Sequence, residues 1–365
     1  MTKVKDIVVA FDEVAPFDYQ ESYDNSGLLC GNPEMEVKGV LVALDCIESI
    51  VDEAIASGAN VVVAHHPILF SGIKRLTGAN YVERTIIKAI EHKIALIAVH
   101  TNLDNYRYGV NHVIAHKIGL MNQAILSPKE ATLRKLIVDV PTSHTGSLRE
   151  AFGHAGFGSI GAYSNCSFTS SGEGRFQPNE GSNPFTGNIN ELAVVAEDKI
   201  EFIVQQHELK AAISLMKSAH PYEEIAYDIV PLLNKNETVG SGMIGELPEA
   251  IDCLSFLHEI KEKFGCGAIR YTNPIKKSIK RVAVCGGSGS FLLKDAIRAK
   301  ADVFITSDFK YHEFFDADGQ ILIADIGHFE SEQYTSEWIM TFLMKKFTTF
   351  AVRLTELSTN PINYL

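Results

Sequence analysis

Three short motifs have the residue types and spacing for divalent-cation chemistry. His65 and His66 are adjacent and closed by Pro67, His100 opens the run His100-Thr101-Asn102-Leu103-Asp104, and Gly327-His328-Phe329-Glu330-Ser331-Glu332 sets His328 and Glu332 four residues apart. That last spacing puts both side chains on one face if a helix begins there. Imidazole nitrogen and carboxylate oxygen, without thiolate, suit zinc, manganese, iron or cobalt, and carboxylates can bridge two ions about 3.5–4 Å apart. Five ligands shared by two ions leave open positions for water, which a divalent ion acidifies toward neutrality. Taken singly, each motif also has a purely structural reading. An imidazole can bond backbone, His100 can support a ligand from behind, Glu330 and Glu332 can favour a helix N-terminus, and Asp104-Asn105 can form a turn.

The elements that must carry these motifs favour the metal reading, because all three end at strands. Val61-Val62-Val63-Ala64 is an apolar, β-branched run that reads as a buried strand, and Pro67 cannot donate to a ladder. Residues 94–99 and 321–325 read the same way and deliver His100 and His328 just beyond them. In open α/β sheets ligands gather beyond the carboxyl ends of strands, where only loops compete for space. From about 39 to 119 strands alternate with helices, and 281–346 repeats the habit, ending in one long helix over 331–346. This predicts an α/β fold: a single, mainly parallel sheet core with helices on both faces.

The middle of the chain breaks that rhythm. A strand at 133–140 and a helix at 147–155 precede a stretch rich in Gly, Ser and Asn that holds a strand-like piece at 162–169. A hairpin at 191–195 and 199–205 turning on Glu197-Asp198, a helix at 208–218 and a strand at 225–230 follow. The order approximates βαββαβ, a ferredoxin-like α+β domain inserted at 128–235 into a discontinuous core of 1–127 and 236–365.

The 365 residues are 46% hydrophobic and carry a formal charge of -12, with no lysine or arginine block to offset it. Such a surface repels phosphate backbones, so nucleic acid is not an expected partner. No apolar run reaches the length of a membrane span and the start lacks a signal-like core, so the expectation is a cytoplasmic protein without a membrane partner. The six cysteines are scattered with no C-x-x-C pair, which predicts reduced, mostly structural thiols.

Five blocks in order resemble the NIF-three-like dinuclear-metal proteins, often labelled GTP cyclohydrolase 1 type 2 homologues. They are Tyr23-Asp24-Asn25-Ser26-Gly27-Leu28, Ala64-His65-His66-Pro67, His100 to Asp104, Thr306-Ser307-Asp308-Phe309-Lys310-Tyr311-His312, and Gly327 to Glu332. The resemblance implies a toroidal homohexamer with two divalent metal ions per subunit, zinc first among the candidates. It places the ligands on His65, His66, Asp104, His328 and Glu332, with Asp104 and Glu332 as bridges. It also implies that the insertion is similar to PII and CutA-type proteins, a pattern that Ala219-His220-Pro221-Tyr222-Glu223-Glu224 before its last strand fits. Ser26 departs from an expected valine and Ser307-Asp308 from a usual Gly-Glu pair; neither position is expected to touch a ligand.

Three further features bear on function. Gly286-Gly287-Ser288-Gly289-Ser290 lies between a strand and a helix, so its amides could cradle a phosphate, or its glycines could simply allow a tight turn. His312, beside Lys310 and Tyr311 beyond the strand at 302–306, is a candidate with His100 for proton transfer, or a satisfied helix-start histidine. Tyr222-Glu223-Glu224 could bind an effector or be a solvated loop. The leading expectation is a metal-dependent hydrolase of a nucleotide or phosphorylated small molecule. Ring opening of guanine is implied only by the family label, and a non-catalytic metal-binding or regulatory assembly is the alternative.

Overall fold

The computed structural model describes residues 1–365, which form two compact units, Met1–Pro128 with Glu237–Leu365, and Lys129–Asn236. The first unit holds two sheets. In one, strands Ala351–Leu354, Gly39–Ala43, Val61–Ala64 and Ala95–Ala98 run parallel in that spatial order, and Gly27–Cys30 closes the edge antiparallel to Ala95–Ala98. In the other, Ser278–Ser288, Val303–Ser307 and Leu322–Asp325 are parallel neighbours, while Asn236–Asp252 and Arg270–Tyr271 pair antiparallel on either side and Met121–Lys129 lies at the edge. The expected single, mainly parallel layer is thereby corrected to two mixed sheets. Alternation of strand and helix signals the right-handed crossover but not which strands share a sheet.

Period-two burial explains why both sheets are covered on each face. Val40 and Val42 point into a core shared with Val282, Val284, Val303 and Ile305 of the other sheet. Leu41 and Ala43 point the other way, against Ile50, Val51 and Ala54 of helix Glu48–Ser57 and Ile86 and Ala89 of helix Tyr81–Glu91. Burying one such aliphatic side chain contributes about 1.5–3 kcal/mol. The expected helix over 331–346 is two helices, His328–Glu332 and Thr335–Lys346.

The second unit has a four-stranded antiparallel sheet in the spatial order Phe168–Phe176, Ala193–Gln205, Leu133–Pro141, Tyr227–Leu232. Helices Thr145–His154 and Leu209–Ala219 bury Leu148, Phe152, Ala212 and Met216 against Leu136, Val138, Ile200 and Phe202, with the rings of Phe152 and Phe202 stacked at 4.1 Å. Two expectations fail here. The strand-like piece at 162–169 is displaced to Phe168–Phe176, and no turn occurs at Glu197-Asp198, which lie inside one continuous 13-residue strand. Their acidic side chains find partners without leaving the ladder: Asp198 accepts from the Thr145 and Ser171 hydroxyls, both at 2.6 Å, and Glu197 accepts from the Tyr222 hydroxyl at 2.7 Å. No helix of the chain is long and apolar enough to cross a membrane, and all six cysteines are free.

Candidate metal centre

Register brings the motifs together. Ala43, Ala64 and Ala98 are aligned across three parallel strands, so the residues two positions beyond each, Asp45, His66 and His100, leave the sheet at one edge. In the other sheet Thr306 aligns with Asp325, and the chain beyond these ends supplies Asp308 and the helix His328–Glu332. Each His66 and His328 Nε2 faces Glu332 Oε2, at 2.9 and 3.0 Å, and the two nitrogens are 3.3 Å apart. On the other Glu332 oxygen, Oε1, His65 Nε2 stands at 3.9 Å, and it is 3.6 Å from Asp104 Oδ1. Ligand-type atoms thus gather in two groups that share Glu332: His66, His328, Glu332 and His65, Asp104, Glu332. His65, His66 and His100 form a third such group.

The opposite ring nitrogens are all held from behind. His65 Nδ1 meets the Val99 carbonyl at 2.8 Å, His66 Nδ1 meets Asp45 at 2.7 Å, His328 Nδ1 meets Asp308 at 2.6 Å and His100 Nδ1 meets Asp24 at 2.7 Å. Carbonyl and carboxylate oxygens only accept, so each Nδ1 carries the proton and donates, which fixes the tautomer and turns Nε2 toward the cluster. Asp24 is itself fixed by the Thr101 amide at 3.0 Å, the Thr101 hydroxyl and the Ser26 hydroxyl at 3.1 Å. Asp45 is the carboxylate that motif reading missed. Its signal was present, an acid two residues beyond a fully buried strand at the edge already assigned to ligands.

Asp308 overturns one expectation, since it bonds His328 directly. It sits in the left-handed region at φ 59°, which turns the chain back toward the site just past the strand. Ser26, the other departure, also takes part, accepting from the His100 amide at 3.2 Å while donating to Asp24. His312 is not brought in. It is exposed on the short helical turn Tyr311–Ala317, its ring beside Tyr311 and Phe315, because the turn after Asp308 carries it away from the cluster.

Two amides of the Gly286 to Ser290 loop are engaged in packing the site. The Gly286 amide donates to Asn111 Oδ1 and the Gly287 amide to Ser331 Oγ, both at 3.0 Å. Gly287 has φ 59°, and a Cβ there would lie 2.4 Å from Glu332 Oε1. The glycine is what lets backbone pass against the shared carboxylate.

The clustered acids and imidazoles shift one another strongly. Burial pulls the His66 imidazole down, but Asp45 and Glu332 outweigh it and hold it up at about 9. Burial likewise opposes the His328 cation, and Glu332 and Asp308 raise it to about 11. Burial, then the neighbouring Glu332 charge, pushes Asp104 up to about 7. Glu332 stays well below the usual carboxylate range, because His328 and His66 overcome its burial. His65 Nε2 and Asp104 Oδ1 are buried without any hydrogen-bond partner. Orphaned buried polar atoms are costly and uncommon, and a nitrogen and a carboxylate oxygen facing each other across 3.6 Å could both be satisfied by a cation. The donor set, all nitrogen and oxygen, fits a borderline or hard divalent ion.

The cluster forms one wall of a cavity of about 550 Å³ lined also by Tyr23, His100, Phe291 and Phe329. The family Duf34/NIF3 (NGG1p interacting factor 3) matches residues 2–361. A Halalkalibacterium halodurans protein called GTP cyclohydrolase 1 type 2 homolog is 41% identical over 325 residues, 88% of this chain and 87% of its own. A Staphylococcus aureus protein of the same name is 35% identical over the full length of both. A crystal structure of a Bacillus cereus protein related to NIF3 superposes with a TM-score of 0.85 at 35% identity, covering 100% of this chain and 99% of the other. With ligand-type residues, sheet order and full-length similarity in agreement, this chain belongs to the Duf34/NIF3 family.

Proposed function

We propose that the cluster holds two divalent ions, zinc first and manganese, iron or cobalt as alternatives, and that the protein is a metal-dependent hydrolase of a nucleotide or phosphorylated small molecule. The observation that carries this reading is the sharing of Glu332 between two groups of ligand-type atoms beside a cavity. His66, His328 and one Glu332 oxygen would hold one ion; His65, Asp104 and the other oxygen would hold the second. Bound there, the ions supply Lewis acidity, polarising a substrate oxygen and making water acidic enough to react near neutral pH.

The chain's own residues handle the proton. His100 lines the cavity, and its Nδ1–H is tied to Asp24, a carboxylate held far below its usual range by hydrogen bonds that outweigh its burial. With Nδ1–H so engaged, Nε2 is the ring atom that would accept a proton from water. Asp24 acts through His100 as a positioning residue. His312 has no part in this scheme.

The relatives' name, GTP cyclohydrolase 1 type 2 homolog, supports a nucleotide substrate. A second reading, a non-catalytic metal-binding or regulatory assembly, is favoured by the absence of lysine and arginine from the cavity lining. We further propose a homohexamer in the cytoplasm and a ferredoxin-like, PII-similar insertion, which the chain order of strands and helices in the second unit supports. The deciding experiment is a turnover screen of metal-reconstituted protein against nucleotides, with His65→Ala and Asp104→Ala as controls. Metal-dependent turnover lost in both variants supports the hydrolase. Metal binding lost in the variants with background turnover throughout favours the second reading.

A further inference from the structure

We propose that the cavity is a subsite for a neutral planar ring, a heterocycle or cyclic amide, gripped by aromatic side chains rather than by charge. This rests on the hydrolase reading above and specifies what its site accepts. Tyr23, Phe70, Tyr81 and Phe291 all line the cavity, yet they are 67%, 55%, 56% and 65% exposed. Four large rings left in water around one concavity are an uncommon arrangement unless something flat covers them, since aromatic faces stack on planar groups of any sequence or substituent.

Charge recognition is missing from the same wall. Neither lysine nor arginine lines the cavity. No ammonium or guanidinium group of the lining is therefore available to a phosphate. Two of the lining asparagines are spent on the protein itself. Asn105 donates to the Tyr19 carbonyl and Glu21 and accepts from Ser241, while Asn111 donates to the Asp104 carbonyl and accepts from the Gly286 amide. The Gly286 and Gly287 amides are engaged as well, which leaves stacking and metal contact as the leading means of selecting a ligand.

The test uses the full chain loaded with zinc and titrated by calorimetry with inosine, a ring without phosphate, and ribose 5-phosphate, a phosphate without the ring. Inosine is expected to bind at least about tenfold more tightly, and Tyr23→Ala and Phe291→Ala each to weaken it about tenfold, the usual worth of one stacking ring. Zinc content by elemental analysis and oligomeric mass should not change in either variant. Equal or tighter binding of ribose 5-phosphate overturns the proposal, as does unchanged inosine affinity in the variants. A changed oligomeric mass also overturns it, because the rings would then belong to a subunit contact. Zinc retained without inosine binding defeats the ring proposal alone, whereas wild-type protein that takes up no zinc defeats the metal reading beneath it.

Discussion

Asp104, at the end of the short helix Thr101–Asp104, and Asp198, inside the strand Ala193–Gln205, are acids with opposite fates. In the second unit Asp198 accepts two hydroxyl hydrogen bonds, one on each oxygen, and these hold its carboxyl below the usual range. In the first unit Asp104 Oδ1 and the facing His65 Nε2 are buried with no partner, and Asp104 is pushed up to about 7. The first arrangement is finished within the protein. The second leaves two facing ligand-type atoms without a partner beside four imidazoles braced at Nδ1, an arrangement that could hold a cation and that carries the proposed metal centre.

The strongest way to break this contrast is to remove the shared carboxylate. Glu332→Ala should abolish tight binding of both ions, a loss of at least about 100-fold in affinity by equilibrium dialysis; Asp198→Ala should leave metal content untouched and lower only the melting temperature. Gly287→Ala comes next. Its Cβ would stand 2.4 Å from Glu332 Oε1 at φ 59°, so metal affinity should fall although no ligand has changed. Asp45→Asn and Asp308→Asn should each cost about 10–100-fold in affinity, since both brace a ligand imidazole.

A pH series sharpens the same point with a smaller effect. In the metal-free protein His66 is raised from 6.5 to about 9, so its protonated ring contributes stability that is complete below pH 6.5 and is lost as pH rises through about 9. The cation must displace that proton, so binding strengthens over the same interval. The melting temperature without metal should therefore fall between pH 6.5 and 9 while the increment on adding zinc grows. An increment that shrinks with pH would contradict the assignment. At the small end, His312→Ala should alter neither metal content nor turnover.

Much of the site was legible because strand ends are among the clearest features of a sequence. The apolar run Val61 to Ala64 and its histidines are found where periodicity places them, as is the four-residue step from His328 to Glu332. What sequence could not supply was tertiary. Nothing local distinguishes one sheet from two, because Ser278–Ser288 pairs parallel on one side and antiparallel with the distant Asn236–Asp252 on the other. Glu197-Asp198 has the composition of a turn and becomes strand because Thr145, Ser171 and Tyr222, remote in sequence, satisfy it. Asp308 and His312 are four residues apart after the same strand. Asp308, in the left-handed region, braces a ligand imidazole, whereas His312 lies exposed on the following turn.

The central claim is a pair of ions sharing Glu332. Electron paramagnetic resonance of the manganese-loaded chain tests it most directly, since ions about 3.5–4 Å apart across a common carboxylate couple magnetically. A spin-coupled manganese pair at two ions per chain is expected, lost in Glu332→Gln. An uncoupled signal at full loading, or a coupled one that survives the substitution, would contradict it.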